Sequence, residues 1–371
     1  VLDAGQPPRA ARATSAYNPV SMETSLGAAQ AGPTLDAATA RAVLARLGLC
    51  EPDEPLDCVP LAGGVSSDIV RVDLPGRSVC LKRALERLKV AADWRVPVAR
   101  SAHEADWLRV AATVRPGAAP HLLGYDASAN ALAMDWLDPV RHPVWKGELR
   151  DGRIDPAFAA RVAESIGSIH AATAGDRAIA ARFDTTPLFV ALRLEPYLLA
   201  TAARHPALAS RLHALAQATA ETRIALVHGD LSPKNLLVGP DGPVILDAEC
   251  AWYGDPAFDA AFCLNHLLLK AVWGAASRPG ARAALRAAFD AFAAAWFEVA
   301  RFEPRETLAA RVAALLPALM LARVDGKSPV EYLTDERDRD RVRTVAGRFV
   351  AAPPPEPAAV ADAWYAALAA A

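Results

Sequence analysis

No run in this 371-residue chain comes near the roughly 20 uninterrupted apolar residues that a bilayer-spanning helix needs, although 53% of its residues are hydrophobic. The apolar residues are therefore expected in a core, with no membrane as partner. Charge of neither sign is in excess: 40 Lys and Arg stand against 42 Asp and Glu, a formal net charge of -2. That balance removes the electrostatic ground for a nucleic-acid surface, so any polyanion bound is expected to be small. Cysteine is scarce, and the five residues present (Cys50, Cys58, Cys80, Cys250, Cys263) form no CxxC pair. An odd number of thiols, set mostly among apolar neighbours, argues against a disulfide framework or structural zinc and fits a reducing, cytoplasmic compartment. Residues 1–34 contain no apolar stretch like that of a secretory signal, mix Pro, Gly, Ala, Ser and Thr, and are expected to be a disordered tail. Their arginines and few acids leave an organellar transit peptide as the alternative. Also missing are a GxGxxG and a Walker lysine motif, so a phosphate cradle has to be sought by position.

What is present begins with TLDAATARAVLARLGL, where a Thr or Asp cap precedes Val43, Leu44 and Leu47 at helical spacing. Next, Ile69, Val70, Val72 and Leu74 lead into a Pro-Gly turn, and Val79, Cys80 and Leu81 follow it, the pattern of a β-hairpin with Gly63 and Gly64 at its entrance. The stripe Ala102, Ala105, Leu108 and Ala112 marks a helix, and HLLGYDASANALAMDWLD gives two strands about a Ser-Ala-Asn turn. Beyond Trp136 the text turns Ala- and Leu-rich with helical periods, interrupted by a hairpin at 224–249. The expected fold is α+β and two-lobed: a small β-rich lobe over 35–136 and a larger, mainly helical lobe over 137–371, with a cleft at their junction.

The chemistry concentrates in LVHGDLSPKNLLVGPDGPVILDAE, residues 226–249. Phosphoryl transfer from ATP to an alcohol requires a phosphate cradle, a cation at the phosphates, a divalent metal and a carboxylate that orients the hydroxyl. Asp230, in a turn after an apolar strand, is the candidate base, and its alternative is an Asx-turn cap. Asn235 follows five positions later, and Asp247 ends the second hairpin strand, where pairing with NLLV returns it to the same pocket. An amide oxygen and a carboxylate, with phosphates completing the shell, suit Mg²⁺ better than zinc. Glu249 has two open readings, a second metal ligand or an acceptor for a backbone amide. Gly63, Gly64, Ser66 and Ser67 lie in a turn between strands, where backbone N–H groups can approach phosphate oxygens.

HGDLSPKN followed by ILDAE resembles the catalytic loop and metal-binding aspartate of the aminoglycoside phosphotransferase and choline kinase superfamily, relatives of the protein kinases. The resemblance covers roughly residues 35 to 335 and implies the two-lobed protein-kinase-like fold. By the same likeness, Lys82 in VCLKRAL is the phosphate-binding lysine and Glu104 in AHEADWL its helix partner. The segment Met134, Asp135, Trp136 is then the hinge that offers backbone groups to adenine. Within the superfamily the nearest likeness is to the methylthioribose kinases, carried by LKRALERLKVAADWRVPVARSAHEADWL, AMDWL and DAECAWYGDPAFDAAFCLN. Those sugar kinases have HGDLHTGS in place of HGDLSPKN, and their paired late arginines correspond here to the single Arg323. The implied activity is ATP- and Mg²⁺-dependent phosphorylation of a small hydroxyl compound, a methylthioribose-like sugar first and an aminoglycoside or amino-alcohol second. A cationic acceptor would call for an acidic pocket in the helical lobe. A catalytically idle nucleotide-binding module is the reading from another class, and an incomplete set of key residues would be its sign.

The remaining polar residues divide between structure and substrate. His228 is expected to brace the loop, His170 to pack inside the helical lobe, and Asp259 to hold the catalytic loop through backbone N–H contacts. Asp255 is expected to reach the substrate. Arg323, beside Asp325 and Lys327 at the end of a late apolar helix, is either part of a polar C-terminal turn or a substrate ligand.

Overall fold

The computed structural model describes residues 35–61, 66–87, 96–273 and 278–370. The expected tail over 1–34 and the glycines Gly63 and Gly64 lie outside them. Helix α1 (Ala37–Arg46) starts where Asp36 accepts a hydrogen bond from Thr39 N at 2.8 Å, and it buries Ala40, Val43 and Leu44. Strands β1 (Asp57–Pro60), β2 (Ser67–Leu74) and β3 (Arg77–Ala84) are followed by helix α2 (Arg100–Val114) and strands β4 (Leu122–Asp126) and β5 (Ala131–Asp135). The five strands form one antiparallel sheet in the order β1-β2-β3-β5-β4. Pro75 and Gly76 turn β2 into β3, with Gly76 at a φ of +78° that costs a glycine nothing. Strand β1, which the sequence pattern did not signal, is a short DCVP edge held by pairing with β2.

Strand alternation decides what the sheet presents on each side. Val70, Val72, Leu74, Val79 and Leu81 face α1 and form a small core with Ala131 and Ala133. The opposite parity on β3 carries Cys80 and Lys82. Helix α2 is not packed on the sheet alone: Trp107, Leu108, Val110 and Ala111, with Leu132 and Met134 of β5, belong to the larger core of the helical lobe.

That lobe runs through α3 (Trp145–Arg150), α4 (Pro156–Thr173), α5 (Arg177–Arg182) and α6 (Thr186–Phe189) into a π-helical stretch, Val190–Leu199, that contains Pro196. Helices α7 (Ala200–Arg204) and α8 (Ala209–Glu221) precede β6 (Ala225–Val227), β7 (Leu236–Gly239), β8 (Gly242–Ile245) and β9 (Trp252–Gly254). Strands β6 and β9 pair, as do β7 and β8, in two short ribbons. Helices α9 (Ala257–Leu269), α10 (Ala281–Val299), α11 (Arg305–Asp325), α12 (Glu336–Ala351) and α13 (Ala358–Ala369) complete the described chain. By length and composition α11 alone among the described helices could cross a bilayer, but 78% of its apolar window is buried inside the fold, as in a core helix.

The C-terminal end of α11 is fastened by Asp325. Its carboxylate, 7% exposed, accepts from Arg343 Nε at 3.0 Å and Nη2 at 2.9 Å and meets His205 Nε2 at 2.7 Å. Burial opposes its ionisation, but Arg343 and then His205 hold the carboxyl below its ordinary 3.8. Stability from this site is therefore complete above that value and is lost as pH falls through the lower folded one. Asp325→Asn should reduce the unfolding free energy at neutral pH by about 1–3 kcal/mol. Urea midpoints for variant and wild type should converge only as pH falls below the lowered folded value, and a gap that persists once the folded carboxyl is protonated would remove the ion pair as its cause.

Candidate active site

The turn after β6 is pinned from below by one carboxylate. Asp259, fully buried in the first turn of α9, accepts His228 N at 2.7 Å and Gly229 N at 2.8 Å. His170 Nε2 contacts the same carboxylate at 3.1 Å, and Trp296 Nε1 donates to His170 Nδ1 at 3.2 Å. An indole can only donate, so the His170 proton belongs on Nε2, pointing at Asp259. Gly229 adopts φ +80°, and a Cβ there would stand 2.7 Å from Cys250 O, so the loop accepts only glycine. His228 accepts Asp230 N on Nδ1 at 3.1 Å and reaches Leu246 O from Nε2 at 3.0 Å, with the Trp107 ring against its face. Burial lowers its pKa, so it ties the loop to the returning strand as a neutral ring.

On this pinned loop Asp230 is 4% exposed. Its Oδ2 lies 3.0 Å from both Arg193 Nη2 and Lys234 Nζ, and Asn235 Nδ2 donates to it at 2.9 Å. Arg193, from the π-helical stretch, also donates from Nε to Gly229 O at 2.6 Å. Burial disfavours the Asp230 charge, but Arg193 and Lys234 overcome it and leave the carboxyl below its ordinary range. Asn235 spends its amide hydrogens on Asp230, and among the described residues its Oδ1 has no donor.

The β7–β8 ribbon delivers Asp247 to the same place. Leu236 pairs with Ile245, and Leu246 N donates to Asn235 O at 2.8 Å, so Asp247 follows one residue beyond the position opposite Asn235. Asp247 has φ +67°, which is unusual for a residue with a side chain and is held by its surroundings. Its Oδ1 pairs with Lys82 Nζ, which also contacts Glu104 of α2 at 2.8 Å. Lys82 is 4% and Glu104 2% exposed. Burial works against the Lys82 charge, but Asp247 and Glu104 raise its pKa above the ordinary lysine value. Burial likewise opposes ionisation of Asp247, and Lys82 with Lys234 brings it well below the carboxylate range.

Other expected residues have different surroundings. Glu249, a candidate metal ligand, is instead paired with Arg100 Nε at 3.1 Å, because the fully buried guanidinium needs a carboxylate. Arg100 Nη2 also donates to the carbonyls of Ser66 and of Leu85 (2.6 Å), fastening both ends of the β2–β3 hairpin to α2. Ser67 Oγ is buried and has no hydrogen-bond partner among the described residues. Asp255, expected toward substrate, is 2% exposed and committed to Arg311 of α11 at 3.1 Å and to Ala257 N at 3.0 Å, which makes it a brace between helices. Arg323 donates to Tyr197 OH at 3.0 Å and to Ser328, and its guanidinium stands 5.5 Å over the Tyr197 ring. In the hinge, Met134 pairs with Cys80, Asp135 N already donates to His121 O at 3.0 Å, and Trp136 lies under Arg71. Arg193, Lys234 and Arg100 escaped the sequence reading. A single arginine inside the apolar LFVALRLEPYLL was the available signal for the first, since a buried charge requires a partner.

A family model described as the phosphotransferase enzyme family matches residues 57–302, more than half of the chain. The chain belongs to that family. Methylthioribose kinase 1 from Oryza sativa subsp. japonica is 25% identical over 223 residues, 52% of this chain and 51% of that protein. The chain thus spans about half the length of this curated relative. Among solved structures, the amicoumacin kinase hAmiN in complex with AMP-PNP, Ca²⁺ and Ami aligns with TM-score 0.50 and 16% identity, covering 86% of this chain and 96% of that one. A choline/ethanolamine kinase family protein from Mesorhizobium loti aligns with TM-score 0.48 and 18% identity, covering 88% and 97%. The mixed α+β, two-lobed architecture is the fold shared with the amicoumacin kinase.

In this member of the phosphotransferase enzyme family the oxygens of Asn235 and Asp247 are a donor set that fits magnesium. They are hard ligands, and each has an oxygen without a protein partner among the described residues. Two protein oxygens leave the rest of an octahedral shell to waters and phosphate oxygens, as magnesium usually keeps. The geometry of the loop depends on Asp259, and Asp259→Ala would strand two buried N–H groups and His170. It should lower the unfolding free energy by about 2–5 kcal/mol. Denaturant unfolding measures this directly, and a loss below about 1 kcal/mol would mean that the loop holds itself.

Proposed function

We propose that this chain transfers the terminal phosphoryl group of ATP to a hydroxyl group of a small metabolite. The observation that carries the reading is a convergence: Asp230, Asn235 and Asp247 meet at one ribbon, and Lys82 reaches Asp247 from the sheet. Lys82, kept charged by two carboxylates, would hold nucleotide phosphates, with Ser66 and Ser67 at the base of the preceding turn. Asn235 and Asp247 would hold Mg²⁺, which neutralises phosphate charge when bound. Asp230 would accept a hydrogen bond from the acceptor hydroxyl and orient it. A carboxylate below its ordinary pKa is a weak base, which suits a reaction in which positioning and charge neutralisation carry the rate. The presence of Lys82, Glu104, Asp230, Asn235 and Asp247 together speaks against an idle nucleotide-binding module.

The similarity to methylthioribose kinase 1 supports a sugar-like hydroxyl acceptor. A cationic amino-alcohol or aminoglycoside draws no support from the surroundings of Asp230, where Arg193 and Lys234 already supply positive charge. Replacement of Asp230 by Ala should lower turnover about 10² to 10⁴-fold and leave Mg²⁺·ATP affinity nearly unchanged. An ADP-release assay over hydroxylated metabolites, followed by binding calorimetry, tests both parts; a variant that kept more than half of the activity would reject the assignment. Asp247→Asn should abolish the Mg²⁺-dependent part of nucleotide binding, seen as identical isotherms with and without the metal.

A further inference from the structure

Helix α9 carries Asp259 at its start, and the same face continues through Phe262 and His266 to Lys270, just past the helix end, at spacings of three and four residues. Phe262 packs against Tyr197 and against the His266 ring, and Tyr197 receives the hydrogen bond of Arg323. The face therefore leads from beneath the catalytic loop into a group of cations. His266 stands in the field of four of them, Arg323, Lys270, Lys234 and Lys146. Because Lys234 is the residue paired with Asp230, this group adjoins the reacting end of the cleft.

Two of the four, Lys234 and Lys146, have a carboxylate partner, and the other two, Lys270 and Arg323, have none among the described residues. Lys270 is 3% exposed, and its ammonium rests 4.3 Å from the Trp273 ring centroid and 4.6 Å from that of Tyr332. The nearby carboxylate of Glu331 is bound by Lys146. Neither Lys270 nor Arg323 has a carboxylate partner among the described residues, and two buried polar atoms beside them, Arg323 Nε and Tyr332 OH, have no hydrogen-bond partner there. Burial, reinforced by Lys146, pulls Lys270 down to about 7, a strain that an incoming negative charge would relieve. Structural charges in an interior are ordinarily paired, so unpaired cations next to unused donors describe a seat for an anion.

We infer that the acceptor is an anionic hydroxyl compound, whose carboxylate or phosphate group is seated by Lys270 and Arg323 while its hydroxyl points toward Asp230. The inference rests on the kinase reading of the site and narrows its acceptor class: a cationic alcohol would be repelled by these charges, and a sugar-like acceptor would neutralise them only if it carries an anionic group.

The test is binding calorimetry on the full chain, with Mg²⁺ and AMP-PNP occupying the nucleotide site so that anions cannot bind there. Binding of Mg²⁺·AMP-PNP, measured first in the same cell, reports separately on the kinase reading. Glycerate, glycerol 3-phosphate, glycerol and choline are then titrated, the first two separating carboxylate from phosphate. At least one anion should bind tenfold or more tightly than glycerol and choline. The double substitution Lys270→Met and Arg323→Met should abolish that preference without changing AMP-PNP affinity. Lys270→Met alone, which removes an unpaired buried cation and keeps its apolar stem, should melt no lower than wild type and should weaken the anion at least threefold. Equal binding of the four probes, or an anion preference that survives these substitutions, overturns the inference.

Discussion

A single ammonium, Lys82 Nζ, is shared between Glu104 on α2 and Asp247 on the loop after β8, and the geometry of the cleft follows from it. The three groups come from the sheet, from the helix behind it and from the helical lobe. Each would be costly to bury alone, and removal of one partner from such a set typically costs about 3–5 kcal/mol because a naked charge remains. The cluster therefore stabilises one relative placement of strand, helix and loop. It also accounts for the positive φ of Asp247: the register of the β7–β8 ribbon holds the residue from one side and Lys82 draws its carboxylate from the other. A second anchor holds the catalytic loop itself. Asp259 is committed to the backbone of His228 and Gly229, with His170 and then Trp296 hydrogen-bonded behind it, so Asp230 sits on a loop whose backbone cannot drift.

The two anchors differ in how readily the sequence discloses them. Asp230, Asn235 and Asp247 are legible because a hairpin brings them together through local pairing, and local pairing leaves a spacing in the text. Lys82 is legible through strand parity, since Val79 and Leu81 claim the face toward α1 and leave Lys82 on the other. The helices, the β2–β3 hairpin and the β4–β5 pair announce themselves by apolar periodicity and turn residues. Strand β1 does not, because a four-residue edge with one proline has no period to detect. The partners of Glu249 and Asp255 were hidden for another reason: Arg100 and Arg311 lie 149 and 56 residues away in the chain, and only the folded core brings them near. A carboxylate beside a metal loop is easily assigned to the metal when a distant arginine has the stronger claim.

Arg193 shows what kind of signal survives in such cases. It interrupts an apolar stretch that has no room for a solvated charge, so its partner has to be internal. The fold supplies Gly229 O and Asp230 through a π-helical segment around Pro196, where the widened turn displaces side chains from ordinary helical positions. The same logic applies to Lys270, which ends the run HLLLK. In its case the fold supplies the rings of Trp273 and Tyr332, and no carboxylate pairs with it among the described residues.

That contrast bears on how the cleft distributes charge. At the Lys82 end, three carboxylates, Glu104, Asp247 and Glu249, face two buried cations, Lys82 and Arg100, and each cation has an acidic partner. At the α9 end, Lys270 and Arg323 have none among the described residues, and His266 beside them is held neutral by burial and by their charge. Nucleotide phosphates and their metal bring their own compensating charges, so a site for them can be nearly balanced before binding. An acceptor that arrives without a counter-ion can only be met by a protein surplus of the opposite sign. Asp230 sits between the two regimes, held ionised by Arg193 and Lys234, and that pair shields an anionic acceptor from its carboxylate. The positive charge around Asp230 thus serves both requirements, keeping the orienting carboxylate deprotonated and lowering the repulsion that a negatively charged alcohol would otherwise meet on approach.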